Sequence, residues 1–384
     1  MNLEPSTLKA KIFITIPWFR PAFRAGGPIQ SVANLVKGYH DDTEYYIFCS
    51  DTDLNGGALE NIPTGEWTQY NDYTKVWYAH PEKISDNLVK QVEAVHPDVL
   101  YIIGIYSWHF NMVPLVFAKA PKKIMSARGM LHPGAVSQKK WKKKIYLQLF
   151  KLLEYHHKII FHATDEAEEG FIRRHFGKPA VISIAGNFPN NTGPLAVAKK
   201  EPGRLKLVTI ALISPMKNIL MVLESLMEMD SAIQYDICGP VKDGAYWQEC
   251  LNRIKSLPPN ITVNVHGEID PSRVKEVLAG AHVFVMPSKS ENFGHAIYEA
   301  LSGGRPVITS HHTPWNHLQE SLAGKNIAIE NNSELVNAIS FFAAMDEETL
   351  HQWQQGATRY AANAIDINKT RQQYAEMFAP SPLP

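Results

Sequence analysis

Twelve short apolar runs, none of them strictly alternating, punctuate the 384-residue chain. Six lie in the first half: "KIFITI" (11–16), "YYIFCS" (45–50), "VLYIIGI" (99–105), "KIMSA" (123–127), "KIIFHA" (158–163) and "AVISIA" (180–185). Six lie in the second: "LKLVTIAL" (205–212), "YDICG" (235–239), "ITVNVHG" (261–267), "HVFVMP" (282–287), "PVITS" (306–310) and "NIAIE" (326–330). A strand covered on both faces reads as such a run, because neither face meets water. Spacings of roughly 20–40 residues leave room for a crossover helix between runs. The pattern predicts an α/β chain of two Rossmann-like, doubly wound parallel sheets, residues 1–195 and 196–384. The stretch "NFPNNTGPLAVAKKEPGR" (187–204), rich in Pro, Gly, Asn and Lys, reads as the linker.

Composition removes several function classes. The 38 basic and 38 acidic residues cancel, so no global field points to nucleic acid. Cys49, Cys238 and Cys250 have no C-x-x-C spacing, and their odd number argues for a reducing compartment. The apolar stretch near the start, Ile12 to Ile16, is too short for a signal peptide, and no run reaches membrane-spanning length. The expectation is a cytoplasmic chain.

In doubly wound sheets, ligands bind beyond the carboxyl ends of the strands, so the informative loops are those after each run. After the first run, Gly26 and Gly27 precede a helix and would let backbone amides approach an anion. A tight turn into a helix explains the same pair, and the G-x-G-x-x-G spacing of a dinucleotide site is absent. "DTD" (51–53) has the look of a metal–diphosphate motif, but it follows the second strand of the first half and reads as a loop. "SARGMLHPGAV" (126–136) supplies Arg128, which could hold an oxyanion, and His132, which could act on a hydroxyl; a structural histidine is the plainer alternative. Five lysines and a tryptophan crowd Lys139–Lys144 ahead of an amphipathic helix. That segment is either a solvated face or a peripheral contact with anionic lipid headgroups at the inner face of a membrane.

In the second half, Lys217 follows a strand at the start of a helix, where a cation opposes the helix dipole unless an anion binds there. "SENFGHAIYEALSGGRPVIT" (290–309) places Glu291 before a glycine-led helix start and Glu299 two turns along it. Gly294 permits close backbone approach at that helix end. No metal is expected at the paired acids.

Together these residues resemble the retaining nucleotide-sugar glycosyltransferases of family 4, which have the GT-B fold. Glu291–Glu299 matches that family's E-x7-E motif in the form "ENFGHAIYEAL", continued by "GGRPVITS" and "TPW" (313–315). "AGGP", "RGML", "HATDEAEEGFI", "GNF" and "ISPMKN" extend the likeness over nearly the whole chain. The resemblance implies two Rossmann-like domains facing across a cleft, the first on the acceptor side and the second on the donor side. It implies transfer of a hexose from a nucleoside-diphosphate sugar to a saccharide or lipid-linked saccharide, as in cell-surface polysaccharide assembly, with no cofactor. Glu299 would hold the donor ribose. Glu291 and the backbone of Asn292, Phe293 and Gly294 would hold the hexose and diphosphate, with Lys217 and the Gly26–Gly27 amides on the diphosphate. The backbone at Gly267, Glu268 and Ile269 would take the base. The family's arginine before "ISPxKN" is Leu212 here, and Arg128, Arg20 or Arg24 would have to replace its charge. Trp18, Phe19, Trp108 and Phe110 are candidates to stack on acceptor sugars. The C-terminal helix is expected to pack back on the first domain. An epimerase or hydrolase of the same fold, and a non-catalytic nucleotide-sugar-binding protein, are the competing readings.

Overall fold

The computed structural model describes residues 9–132, 140–196 and 198–379. The chain divides into two compact units, one of residues 1–188 with 367–384 and one of residues 189–366. The division thus falls at Phe188/Pro189, a few residues before the boundary near 195, and the C-terminal helix Ile367–Phe378 belongs to the first unit.

The first unit holds eight strands: β1 (Ala10–Thr15), β2 (Thr43–Ser50), β3 (Trp67–Asn71), β4 (Thr74–Ala79), β5 (Val99–Ile103), β6 (Lys122–Ser126), β7 (Ile160–Ala163) and β8 (Val181–Ile184). Their order is β3-β4-β2-β1-β5-β6-β7-β8, parallel throughout except where β3 returns antiparallel to β4. Both faces of the sheet are covered, as the unbroken apolar runs require. Ile12 and Ile14 of β1 face helix α1 (Gly27–Gly38) and the C-terminal helix, through Val32, Leu35, Tyr374 and Phe378. Phe13 points the other way, into a core shared with α2 (Ile84–Val95), the short α3 (Val113–Phe117), α4 (Lys140–Leu152) and α5 (Glu166–Phe176). The β3–β4 hairpin has no counterpart among the twelve runs. Its edge strand is half-exposed, and its Trp67 packs edge-on against Phe13, Tyr46 and Trp77.

The second unit is a six-stranded, wholly parallel sheet: β9 (Arg204–Ile210), β10 (Ala232–Cys238), β11 (Ile261–Gly267), β12 (Val283–Met286), β13 (Val307–Ser310) and β14 (Gly324–Ile327). The order β11-β10-β9-β12-β13-β14 puts a topological switch point between β9 and β12. Leu207, Tyr235 and Val285 face α6 (Ile219–Leu226), α7 (Gly244–Lys255) and α10 (Asn332–Ala344). Val208, Phe284 and Met286 face α8 (Val274–Gly280), α9 (His295–Ser302) and α11 (Glu347–Ala364).

The Pro- and Asn-rich stretch is not a loose tether at its start. Thr192 N–H donates to Ser302 Oγ at 3.1 Å and Leu195 N–H to Gly303 O at 3.2 Å, so the segment runs along the end of α9. The fully buried Arg305 clamps it further, donating to Ala196 O and, at 2.7 Å, to Leu278 O near the carboxyl end of α8. Carbonyls at a helix carboxyl end are suited to receive a cation. Desolvation still lowers the Arg305 pKa to about 10.

Candidate functional site

The switch point of the second sheet carries the strongest constellation. The loop after β9 delivers Lys217 and the loop after β12 delivers Glu291, and their side chains meet at 2.5 Å. Both are largely buried. Glu291 Oε1 also accepts from Ser288 Oγ at 2.6 Å. Ser288 is itself fully buried and lies within 3.0 Å of Met216 O, while Lys289 N–H donates to Met216 O at 2.8 Å. Glu291 N–H donates to His312 O at 3.2 Å, so its backbone is fixed from the β13 side as well. The acid is held at backbone and carboxylate alike.

Helix α9 begins directly behind it. Gly294 is its N-cap with φ 75°, a left-handed conformation suited to glycine. Ile297 and Tyr298 N–H both donate to Gly294 O, closing the first turn. Trp315 of "TPW" braces this start: its indole N–H donates to Phe293 O at 2.5 Å and its ring packs edge-on against Phe293. Two turns along, Glu299 Oε1 accepts from Asn190 Nδ2 at 2.8 Å. Helix α6 opposite starts at Asn218, also left-handed at φ 58°, immediately after Lys217. Two helix N-termini therefore flank the Lys217–Glu291 pair.

Gly267, Glu268 and Ile269 lie at the end of β11. Gly239 N–H donates to Gly267 O at 2.6 Å, and a Cβ on Gly239 would sit 1.8 Å from Ala211 O. That close approach draws together the ends of β9, β10 and β11. Leu212 is partly buried in the loop after β9. His295 stands four residues from each acid of the E-x7-E pair. Among the described residues, no group of three or more His, Cys, Asp or Glu side chains is placed to hold a metal ion.

In the first unit, Gly26 caps α1 at φ 69°, with Gly27 following it inside the first turn. Asp53 of "DTD" secures the preceding loop, its carboxylate accepting from Phe23 N–H at 3.0 Å and from Arg24 N–H at 3.3 Å. That accounts for the motif as loop architecture. Arg128, left-handed at φ 48°, is buried, and its guanidinium donates to Asn187 Oδ1 at 2.6 Å and to Tyr101 OH at 2.9 Å. Tyr101 OH and Ser126 Oγ lie 2.7 and 2.9 Å from His162 Nδ1, and His162 Nε2–H donates to Ala185 O at 2.8 Å. Burial first, then the Arg128 charge, lowers the His162 pKa to about 3 against the pull of the Ala185 carbonyl, so the ring stays neutral. Arg128 thus belongs to a buried polar cluster. His132 packs edge-on against Phe171 at 4.9 Å. Of the aromatics read as sugar platforms, Phe19 and Phe110 are core residues, whereas Trp108 is 60% exposed. Lys139 lies outside the described residues, as does the Lys140 side chain.

Sequence reasoning missed Ser288 and Asn190. Four side-chain donors, Ser288, Lys289, Ser290 and Asn292, share the loop with Glu291, and the sequence does not say which of them turns to it. Nothing in "PNNTG" signals that Asn190 reaches Glu299.

Residues 196–360 match the family model described as Glycosyl transferases group 1. Sulfoquinovosyl transferase SQD2 of Arabidopsis thaliana is 27% identical over 116 residues, 30% of this chain and 21% of that protein. The matched segment is therefore a minor part of that relative's length. HepE of Anabaena, in complex with UDP and glucose, superposes with a TM-score of 0.68 at 17% identity, over 97% of this chain and 100% of that one. Sucrose-phosphate synthase of Thermosynechococcus elongatus superposes at 0.71 and 18%, with 97% and 100% covered. HepE has also been solved with UDP-glucose. Two parallel-sheet units of this kind, with that family match across the second, make residues 196–360 a glycosyl transferases group 1 domain in a chain of the GT-B fold.

Proposed function

We propose that this chain is a retaining glycosyltransferase that moves a hexose from a nucleoside-diphosphate sugar to a saccharide or lipid-linked saccharide. Cell-surface polysaccharide assembly is the setting that suits such an acceptor. The observation that carries the reading is the Lys217–Glu291 pair at the switch point, flanked by the N-terminus of α9. An ammonium and helix amides at one strand end suit a diphosphate. Glu299 takes the ribose hydroxyls, held in place by Asn190. Glu291, with the backbone of Asn292, Phe293 and Gly294, takes the hexose and the phosphate next to it. The backbone at Gly267 and Ile269 takes the base. The Gly26–Gly27 amides add to the phosphate grip, and His132 serves the acceptor side. Arg128, committed to Asn187 and Tyr101, supports its loop.

In the reaction the bond from the anomeric carbon to the phosphate oxygen breaks, and its electron pair leaves with the nucleoside diphosphate. The acceptor oxygen attacks from the same face, and its proton passes to the departing phosphate. Lys217 and the helix amides stabilise the charge that develops on that oxygen. The leaving-group charge is assigned to these groups, without a metal.

Leu212 favours a second reading, a non-catalytic nucleotide-sugar-binding protein, because it removes the second cation of the clamp. Thermal-shift titration with UDP, GDP, dTDP and ADP tests the donor site on wild type and on Glu299→Gln. A nucleotide at 100 times its Kd raises stability by about 2.7 kcal/mol. UDP is the first choice, since HepE binds it. Stabilisation by no nucleotide overturns the donor reading. Stabilisation without transfer of labelled hexose to any acceptor favours the second.

A further inference from the structure

Helix α4 has an apolar face where water should be. Its inward side is ordinary: Leu147 and Phe150 are buried, and Tyr146 OH donates to Ile105 O, with Met112 Sδ 3.0 Å from the same oxygen. Its outward side carries Trp141 (76% exposed), Ile145 (56%), Leu149 (51%) and Leu152 (76%). At about 100° per residue these four fall within an arc of about 80°. Lys142 borders that arc on one side, and Lys144 and Lys151 on the other. The helix contains no acidic residue, although acids and bases balance over the whole chain. Exposed apolar area of this extent on one helix marks a contact surface.

We propose that this face of α4 docks the protein on an anionic lipid bilayer, seating Trp141, Ile145, Leu149 and Leu152 among the acyl chains with the lysines at the headgroups. Charge and shape choose this occupant over a protein partner. The face offers flexible lysines around aliphatic side chains and one indole, with Gln148 its sole uncharged polar group, so it holds little to specify a partner's sequence. A bilayer asks for none, since lysine stems lie along apolar surface while their heads reach phosphate. Tyr146 ties α4 to the segment after β5 that exposes Trp108, so the docked face adjoins strand-end loops of the first unit. The proposal deepens the lipid-linked acceptor of the function proposed above, and in that respect rests on it.

The test is flotation of the full chain with vesicles of phosphatidylcholine alone or mixed with phosphatidylglycerol. Two variants accompany it, Ile145→Ser/Leu149→Ser and Lys142→Gln/Lys144→Gln; all four side chains are at the surface, and circular dichroism melting verifies the fold. Wild type should float with the anionic vesicles and be released by salt. Each lysine lost should weaken partitioning about fivefold, and each apolar side chain lost about tenfold. Folded wild type that stays unbound overturns the proposal. So does an apolar variant that floats as wild type does. Concentration-dependent self-association, abolished in the apolar variant and unaccompanied by flotation, would overturn it in favour of a second copy covering the face. Failure of UDP to shift the melting of the same preparations would count against the donor site alone.

Discussion

Replacing Gly294 by alanine tests whether the start of α9 is built for close approach. The residue has φ 75°, where an L side chain costs about 1 kcal/mol. An added Cβ would lie 3.1 Å from Ile297 Cδ1, 3.2 Å from Trp315 Nε1 and 3.6 Å from Glu291 Cγ. Ile297 can rotate its terminal methyl away. Trp315 has less freedom, because its indole donates to Phe293 O and its ring contacts Phe293, Tyr298 and Tyr360. Displacing it forfeits one buried hydrogen bond, about 1 kcal/mol. The total is about 2 kcal/mol, which for a unit of this size lowers Tm by about 4–8 °C. Gly244→Ala is the matched control: it stands in the first turn of α7, has no positive φ, and its Cβ would meet no atom within 4 Å. Differential scanning fluorimetry of both variants, with and without UDP, reads stability and the donor site together. The UDP-induced rise should shrink in Gly294→Ala, because Glu291 and the α9 amides shift with the cap. If Gly294→Ala melts with wild type and keeps its full UDP response, the glycine is not there for approach or for φ, and this account of the helix start fails.

Lys217→Met leaves the largely buried Glu291 without its counter-charge, so it should lower stability by about 2–3 kcal/mol and weaken UDP binding by about 10- to 100-fold, the worth of a charge-assisted hydrogen bond, as isothermal titration would record. Asn190→Ala removes one donor to Glu299 and should weaken UDP about two- to tenfold and 2′-deoxy-UDP by less, a contrast that a purely structural role of Asn190 would not give. The pH dependence follows from His162, whose folded pKa of about 3 lies below its ordinary 6.5. The unfolded chain then binds the proton that the folded chain refuses. Stability from the neutral ring is present above pH 6.5 and is lost as pH falls toward 3, by about 1.4 kcal/mol per pH unit. His162→Gln should flatten that part of a urea-unfolding series, and an unchanged slope would place the acid sensitivity elsewhere.

Strand positions were legible because burial on both faces writes itself as contiguous apolar sequence, and all twelve runs contain strand residues. The β3–β4 hairpin escaped the same rule for the opposite reason: β3 is an edge strand, half-exposed, and its aromatics compose no run. Glu291, Glu299, Gly294 and Lys217 could be singled out because each sits at a fixed offset from a strand end or a helix start. What binds them together could not. Ser288 and Asn190 act through side-chain geometry at separations of 3 and 109 residues, and only the folded backbone sets those distances. Arg128 shows the limit from the other side: a cation after a strand looks available in sequence, whereas a left-handed backbone at that position turns it into the buried cluster around Tyr101 and His162.

The arrangement at the switch point bears on how a donor could be bound without a large ordering cost. The loops after β9 and β12 are joined by the Lys289 N–H to Met216 O hydrogen bond and by the Lys217–Glu291 pair. The first involves only a backbone amide and a backbone carbonyl, so it persists whatever Lys217 contacts. An arriving diphosphate would then need only to share an ammonium already in place, and the exchange is one ion pair for another in a site largely shielded from water. Much of the entropy of fixing loop and lysine is met on folding, which is the physical content of preorganisation. Ser288→Ala separates this from simple charge attraction. It keeps both charges but removes the hydroxyl donor that fixes the Glu291 carboxylate, so it should weaken UDP binding several-fold at unchanged salt dependence. Loss of affinity that vanishes at low salt would mean that the charges alone, and not the prebuilt loops, hold the ligand.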